Sequence, residues 1–510
     1  METPTFVVSE RARLGFGVVM GALILGVLGD GLLRTTPWGV NVPIWIVALG
    51  AVVIWLVRWQ HIVLEGQGRW LACLVPVFAM VFAWRDSLTL QLLNGGGLIT
   101  VLALSVLRFR SGRLREMHVS AYAAGTTHVV GQAFTGSAQL FSEDIRWHEI
   151  PRHQWGPPAR AIGQGLLLSV PLVFLFGSLL ASADAAFEQM TTSFFEWLFS
   201  NFFIHLTVIG GVAWLVGGIL RQALLSSEWH PFTTSVQKTW SLGIIELGVV
   251  LGLLNALFFA FVVVQIRYFF GGLETVATSP GLTVAEYARR GFFELVMVAA
   301  LVLPLLLLAH SLLRTDNTRD EQPFSILAGA LVLQLFVIMA SALQRMWLYQ
   351  SLYGLTELRL YTTVFMLWLA VVFVWFLLTV LREHRERFAF GVLLCGCSTI
   401  LLLNALNPDA LIVRTNLSRD DAATTLDARY VTSLSADAVP TLIATLPALD
   451  DSKRRAVVAR LVVRWSAPTT SDWRTWNWSR WQARKYAMKL SVSTSPEAFC
   501  AFNCRNATAR

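Results

Sequence analysis

Charged residues are scarce in this chain of 510 residues: Asp, Glu, Lys and Arg make up 14% of it, whereas hydrophobic residues make up 55%. A soluble globular domain typically carries about 25% charged residues. The shortage argues against an ordinary soluble protein and for a chain that lies mostly in lipid. The net charge of +8 does not change this interpretation, because Lys and Arg commonly flank membrane spans. We therefore expect no nucleic-acid partner.

Cysteine is also rare, with five residues, and their spacing predicts neither a disulfide framework nor a metal site. Cys73, Cys395 and Cys397 lie in apolar runs, where cysteine behaves as a small buried hydrophobe. Cys500 and Cys504 form a lone C-x-x-x-C pair, whereas a structural zinc site uses four ligands. A disulfide between these two requires an oxidising compartment.

The sequence also lacks the motifs of several large enzyme classes. It contains no H-E-x-x-H, no P-loop, no Rossmann G-x-G-x-x-G and no G-x-S-x-G, which argues against zinc proteases, P-loop nucleotide hydrolases, dinucleotide enzymes and α/β-hydrolases. We expect neither a metal ion nor another cofactor, and the chain is more readily interpreted as a protein without enzymatic activity.

Long apolar runs are abundant between Leu14 and Ala405. About twenty apolar residues cross ~30 Å of hydrocarbon as a helix, and these runs lack the alternation typical of membrane β-strands. The predicted fold is all-α: a polytopic transmembrane helix bundle of about eleven spans with a small C-terminal helical soluble domain. The expected spans are residues 14–33, 43–57, 70–84, 88–107, 161–181, 202–220, 241–264, 291–313, 324–343, 360–381 and 388–405.

This pattern divides the chain into four parts. They are N-terminal transmembrane hairpins (1–107), a cytoplasmic basic and interfacial segment (108–160), a transmembrane core (161–405) and a C-terminal extramembrane helical domain (406–510). Segment 118–141 is too polar to count as a span, so we expect it either to lie in the interface or to pack inside the bundle.

Basic residues predict the orientation of the bundle. Arg108, Arg110, Arg113 and Arg115 cluster after the fourth span, which indicates a cytoplasmic loop. Eleven alternating spans then place the N-terminus in the cytoplasm and the C-terminal domain on the extracytoplasmic side.

Several sequence blocks together resemble one family. The chain is similar, over roughly residues 160–490, to the bacterial multi-pass membrane family catalogued as domain of unknown function 4173, a relative of the 4153 group. The resemblance implies a bacterial inner-membrane protein with a helical core, and it implies no activity and no catalytic residue. The blocks are LLASADAAFEQM (179–190), LFFAFVVVQIRYFFGG (257–272), YARRGFFELVMVAAL (287–301), RMWLYQSLYGLTELRLYT (345–362), LNPDALIVRTNLSR (406–419) and LDARYVTSLSADAVPTL (426–442).

Charged residues expected near the outer face form the first candidate site, because charge close to hydrocarbon is costly and usually paired. Arg290 and Glu294, for example, have the i, i+4 spacing that allows pairing along one helix. The same residues could equally serve as structural ion pairs that lock span ends together. The set comprises Asp184, Glu188, Arg290, Glu294, Arg345, Glu357, Arg359, Asp409 and Arg414.

Polar residues within the expected spans form the second candidate site: Glu246, Asn255, Gln265 and Gln334. A buried Glu246 could relay protons. Hydrogen bonding between helices is the favoured interpretation, because no series of Asp, Glu or His continues across the membrane.

The leading functional hypothesis is a non-enzymatic integral membrane protein with an outward-facing binding or sensing surface. Its expected partners are the lipid bilayer and a lipid or membrane protein. The first alternative is a secondary transporter of a small solute, which a continuous polar cavity to the membrane midplane would favour. The second is a membrane-embedded transferase for lipid-linked substrates, with Asp184 or Glu188 as base, which a groove between outer helices ending at an acid would favour.

Overall fold

The computed structural model describes residues 10–61, 69–108, 119–145, 156–197, 199, 202–225, 242–270, 292–313, 321–382, 384–419, 427–466 and 472–493. Within these ranges the chain is helical, and the β-structure consists of one isolated bridge between Leu242 and Leu313. The expected all-α class is confirmed.

Thirteen helices precede residue 407 in the described ranges. They are α1 (Glu10–Leu33), α2 (Asn41–Trp59), α3 (Arg69–Trp84), α4 (Leu88–Arg108), α5 (Val119–Gln139), α6 (Gly156–Ala183), α7 (Ala185–Trp197), α8 (Phe203–Leu224), α9 (Ile244–Phe270), α10 (Phe292–Leu312), α11 (Glu321–Tyr353), α12 (Glu357–Thr379) and α13 (Phe388–Leu406).

Nine of these described helices are long and apolar enough to cross a membrane, namely α1, α2, α4 and α8 to α13. The other two expected spans fall on the shorter apolar stretches Leu71–Trp84 and Leu167–Ala183. The protein is therefore a helical, apolar, membrane-type protein, and the total of eleven spans stays a prediction.

Five further helices pack against one end of the bundle, which we call the capped end; the other end is the open end. They are α14 (Pro408–Leu417), α15 (Ala428–Ser433), α16 (Val439–Thr445), α17 (Asp451–Trp465) and α18 (Trp478–Ser493). These helices, together called the cap, share their own apolar core, which includes Ile412, Val431, Leu442, Val457 and Leu461. Their amphipathic patterns were visible in the sequence.

The loops expected on one side of the membrane meet at the capped end. Arg474 of the cap binds the carbonyl of Gly31 after α1, and Asn416 hydrogen-bonds the backbone of Leu355 between α11 and α12. At the open end, Asp144 binds Arg221 at 2.5 Å. The relative directions of these helices agree with the alternation predicted from the sequence.

The polar segment 118–141 packs inside the bundle. Its helix, α5, lies against α8, where a Cβ atom on Gly218 would approach the carbonyl oxygen of Gln132 to 2.4 Å. The Trp214 indole donates to the carbonyl of Phe134 at 2.7 Å. Small residues at such a crossing let the two backbones approach closely and exchange hydrogen bonds, which explains how a polar helix fits here.

Candidate functional site

A buried carboxylate, Asp437, lies at the centre of the contact between the cap and the bundle. Its Oδ2 atom accepts the backbone N–H groups of Asp86 and Ser87 at 2.8 and 2.9 Å. Its Oδ1 atom accepts the Ser479 hydroxyl at 2.5 Å and lies 3.5 Å from the Arg85 guanidinium. Asp437 therefore fixes the loop between α3 and α4 to the cap.

Asp86 forms the second buried contact between cap and bundle. The Arg480 guanidinium donates to Asp86 Oδ1 at 2.6 Å and also to the backbone carbonyl of Trp38 at 2.8 Å. Burial raises the pKa of Asp86, and the nearby charge of Arg480 opposes that shift. Asn477 completes the contact by donating to the carbonyls of Phe82 and Arg85.

Asp409, at the start of α14, is fully buried beside these residues. Its Oδ2 atom accepts the backbone N–H of Ser435 at 3.1 Å and also the Ser435 hydroxyl. Burial raises the pKa of Asp409 to about 7, the bonds from Ser435 oppose the shift, and the carboxylates of Glu357 and Asp437 add to it. Its other oxygen, Oδ1, is buried and has no hydrogen-bond partner among the described residues.

A groove of about 400 Å³ runs between α4, α12 and α13, a size typical of small-molecule sites. Its lining is almost wholly apolar, and the side chains at its rim, Leu93 and Phe365, are exposed. Tyr361 and Trp368 are seven residues apart on α12, so the groove follows about 10 Å of that helix. The residues used below are Leu93, Tyr361, Phe365, Trp368, Gly396 and Leu403.

The end of the groove nearest the cap is polar. Tyr361 lines it and interacts electrostatically with Asp409, Asp437 and the neighbouring Ser87. The Tyr361 hydroxyl and the Ser87 hydroxyl, like Asp409 Oδ1, are buried without a hydrogen-bond partner in the described part of the chain. Each such group costs about 1–3 kcal/mol relative to a satisfied one, so this arrangement can accept a polar group at the end of an apolar chain.

The outer-face residues predicted from the sequence divide into separate places. Arg345 binds the Gln265 carbonyl oxygen at 2.7 Å. Arg359 lies over the Tyr349 ring at 4.0 Å and caps α11 by binding the carbonyl of Gly354. Of the nine, Asp409 and Glu357 are the two that lie together near the groove.

The other predicted outer residues lie apart from this cluster. Asp184 accepts the backbone N–H groups of Ala186 and Phe187 and thus caps α7. Glu188, Glu294 and Arg414 are exposed. Arg290 lies outside the described residues, so its pairing with Glu294 stays a prediction.

Three of the four intramembrane candidates form hydrogen bonds between helices. Gln334 donates to Asn255 Oδ1 at 3.2 Å, and Gln265 accepts from Ser341 at 2.9 Å as well as from Arg345. Glu246 is exposed in the first turn of α9 and does not join them. These contacts connect α9 to α11 in the way that polar residues commonly join membrane helices.

Sequence reasoning missed most of the site. Asp86, Ser435 and Asp437 come together from positions up to 351 residues apart, and Tyr361 lies in an apolar span. The available signals were local: Asp86 follows a predicted span, and Ser435 and Asp437 precede a predicted helix. Among the described residues, no group of three or more His, Cys, Asp and Glu side chains is arranged to hold a metal ion.

Comparison with known proteins identifies the family at a coarse level. Residues 72–445 match the family model described as Domain of unknown function (DUF4153). This is the 4153 group named above as a relative, and its match extends further towards the N-terminus than the sequence blocks did. No curated protein and no solved structure matches the chain.

Proposed function

Because this chain belongs to the DUF4153 family, whose function is unknown, we propose a function from its geometry: the protein binds a membrane amphiphile in the groove between α4, α12 and α13. The apolar chain of the amphiphile occupies the groove. Its polar group meets Tyr361, Ser87 and Asp409 beneath the cap. This is the binding or sensing role expected from the sequence, with a lipid as the bound partner.

One observation carries the proposal: buried polar atoms without partners line the capped end of an apolar groove on a membrane-spanning helix. Buried polar groups are normally hydrogen-bonded. A hydroxyl, amide or amino group of a lipid would supply the missing partners, and the hydrocarbon chain would fill the rest. Within the bilayer, the exposed rim at Leu93 and Phe365 would let such a molecule enter sideways from the lipid.

The orientation of the bundle is part of the proposal. The helix ends that point away from the cap carry Arg11, Arg58, Arg108, Arg221 and Arg382. This bias favours a cytoplasmic open end and an extracytoplasmic cap. We place the protein in the bacterial inner membrane with its N-terminus in the cytoplasm, so that the groove opens into the outer leaflet.

A transferase for lipid-linked substrates is the second candidate, because the groove ends near an acid. A carboxyl with a pKa of about 7 is partly ionised at neutral pH and suits a general base. The base would then be Asp409 and not Asp184, which caps α7, or Glu188, which is exposed. A transporter is less favoured, because Asn255, Gln265 and Gln334 bind one another or neighbouring helices.

Photo-cross-linking tests the binding proposal. Cells that express the full chain would be fed a fatty acid with a diazirine in its chain, irradiated, and the labelled peptides of the purified protein mapped by mass spectrometry. We expect labels on α12 and α13 around Phe365, Trp368 and Leu403. Labels spread evenly over all lipid-facing helices would contradict a specific site.

A filled groove provides the matched comparison. A Cβ atom on Gly396 would meet only the Trp368 ring nitrogen, at 3.9 Å, so Gly396→Leu fills the groove without a backbone clash. Gly96→Leu on α4 adds the same volume where no atom lies within 4 Å. Labelling of the groove should fall severalfold in the first variant and persist in the second. Equal labelling in both would refute the proposal.

The Asp409→Asn variant separates the two candidates. Lipids extracted from cells that express either form at the same level would be compared. A lipid species present with the wild type and lost with the variant would favour the transferase. Identical lipid profiles, with groove labelling retained, would favour binding without chemistry.

A further inference from the structure

The last helix of the cap, α18, has one face that combines aromatic and basic side chains. Residues three, seven, ten and eleven positions after Trp478 fall on the same side of a helix, and all are exposed. The opposite face contains Arg480, Ala483 and Ala487, which are buried against the rest of the protein. The exposed face consists of Trp478, Trp481, Lys485, Met488 and Lys489.

Contacts with the bundle fix the position of this helix at the ends of α2 and α3. The Ser479 hydroxyl donates to the carbonyl of Trp84, the last residue of α3, at 2.9 Å. The N–H of Val40, just before α2, donates to the carbonyl of Trp476 at 2.8 Å. Helix α18 therefore lies at the level where two membrane-type helices end, which is the level of lipid headgroups.

Tryptophans continue along the chain before α18. The rings of Trp476 and Trp478 meet edge to face at 6.5 Å, those of Trp478 and Trp481 stack at 5.2 Å, and Lys485 Nζ lies 4.9 Å above Trp481. Trp473 is 64% exposed. Exposed tryptophans at a membrane boundary are typical of the interfacial belt, where the ring meets both hydrocarbon and headgroups.

The charge of this region has one sign. Between residues 473 and 493 the sequence contains no acidic residue. Arg474 and Arg480 bind Asp472 and Asp86, and the other basic residues of the stretch are Arg484, Lys485 and Lys489. Such a surface is complementary to negatively charged headgroups.

We propose that this surface docks onto anionic lipid headgroups at the capped end of the bundle. It is called the tryptophan edge and consists of Trp473, Trp476, Trp478, Trp481, Lys485 and Lys489. The tryptophans enter the interface, and the lysines bind phosphate oxygens. The groove lies elsewhere, between α4, α12 and α13, so this inference does not depend on the proposed function. Lipid docking at the edge would hold the cap against the bundle.

Hydrogen exchange of the full chain in nanodiscs tests the docking. The amides of α18 would be compared in discs of phosphatidylcholine alone and in discs that contain phosphatidylglycerol. We expect slower exchange of α18 with phosphatidylglycerol. Since a lysine near an anionic surface contributes about a fivefold change in binding, Lys485→Gln with Lys489→Gln should remove most of the difference. Arg455→Gln, an exposed charge on α17, is the matched control and should leave it intact.

Two further conditions make the test decisive. Salt at about 1 M screens such charges and should reduce the difference between the two lipids. The exchange of α10 reports the fold of the bundle and should be the same in every variant. Equal exchange of α18 in both lipids would overturn the proposal, as would a lipid difference that survives the double lysine change. Protection that depends on the number of protein copies per disc would assign the edge to a second copy of the chain and would also overturn it.

Discussion

Removing the Asp437 carboxylate should release the cap from the bundle. In Asp437→Ala, the backbone N–H groups of Asp86 and Ser87 and the Ser479 hydroxyl lose their acceptor, and Arg85 loses a nearby carboxylate. Removing one partner of a buried charged contact costs about 3–5 kcal/mol. Because 1.4 kcal/mol is a factor of ten, the population with an undocked cap should rise by roughly two to three orders of magnitude.

Hydrogen exchange in nanodiscs measures this population directly. The amides of Asp86, Ser87 and α18 should exchange much faster in the variant, whereas those of α10, which lies outside the contact, should be unchanged. Ser479→Ala removes one bond to Asp437 and should give a smaller increase, in line with about 0.5–1.5 kcal/mol for a single hydrogen bond. This graded pair guards against a variant that merely fails to fold.

A surface ion pair provides the control. Asp451 and Arg454 on α17 are paired at an exposed position, where such pairs contribute little. Asp451→Asn should therefore leave the exchange of the cap unchanged. If Asp437→Ala showed the exchange of the wild type at Asp86 and Ser87, the assignment of Asp437 as the residue that fixes the cap would be refuted.

Three other predictions follow from the same contacts. The pKa of Asp409 is raised from 3.8 to about 7, so the folded state binds its proton more tightly, and stability should fall from about pH 4 to pH 7 by up to about 4 kcal/mol. Asp409→Asn should have a higher thermal midpoint than the wild type at pH 8 and lose that advantage at pH 5; an equal gap at both values would contradict the shift. Gly218→Leu places a side chain 2.4 Å from the Gln132 carbonyl and should cost at least about 1–3 kcal/mol, seen as a lower midpoint than for a leucine at the open position Gly211. Reporter fusions at Arg382 and after Ala405 should report the cytoplasm and the extracytoplasmic side, and agreement between the two would disprove the topology.

Composition and periodicity predicted the helical bundle because the bilayer allows few alternatives. A chain with 14% charged residues and long apolar runs must satisfy its backbone hydrogen bonds internally, and helices do this within one segment. The alternation of spans was predictable for the same reason. It correctly brought the loops near Gly31, Arg85 and Leu355 to one end of the bundle.

The site was less predictable because its contacts join residues far apart in the sequence. Asp437 resembles an ordinary residue near a helix start, and nothing local indicates that it binds the backbone of Asp86. Charge alone was also a poor guide to role. Asp184 caps a helix and Glu246 is exposed, whereas Tyr361, which carries no charge, lies at the polar end of the groove.

Helix α5 shows a different limit of sequence reasoning. Its low hydropathy excluded a lipid-facing span, but hydropathy does not reveal a neighbour. The close approach of Gly136 to Gly218 and the hydrogen bond from Ser137 to the Trp214 carbonyl become visible only once α8 is in place. The sequence left interface and bundle interior as equal alternatives, and packing selects the second.

A density map of the full chain, purified in discs of its native membrane, tests the central claim most directly. The account predicts elongated non-protein density in the groove beside Phe365 and Leu403, with its polar end within hydrogen-bond distance of Tyr361 or Asp409. The same density should be absent from Gly396→Leu. A groove closed by its own side chains, or filled with disordered lipid indistinguishable from that around the other helices, would contradict the account.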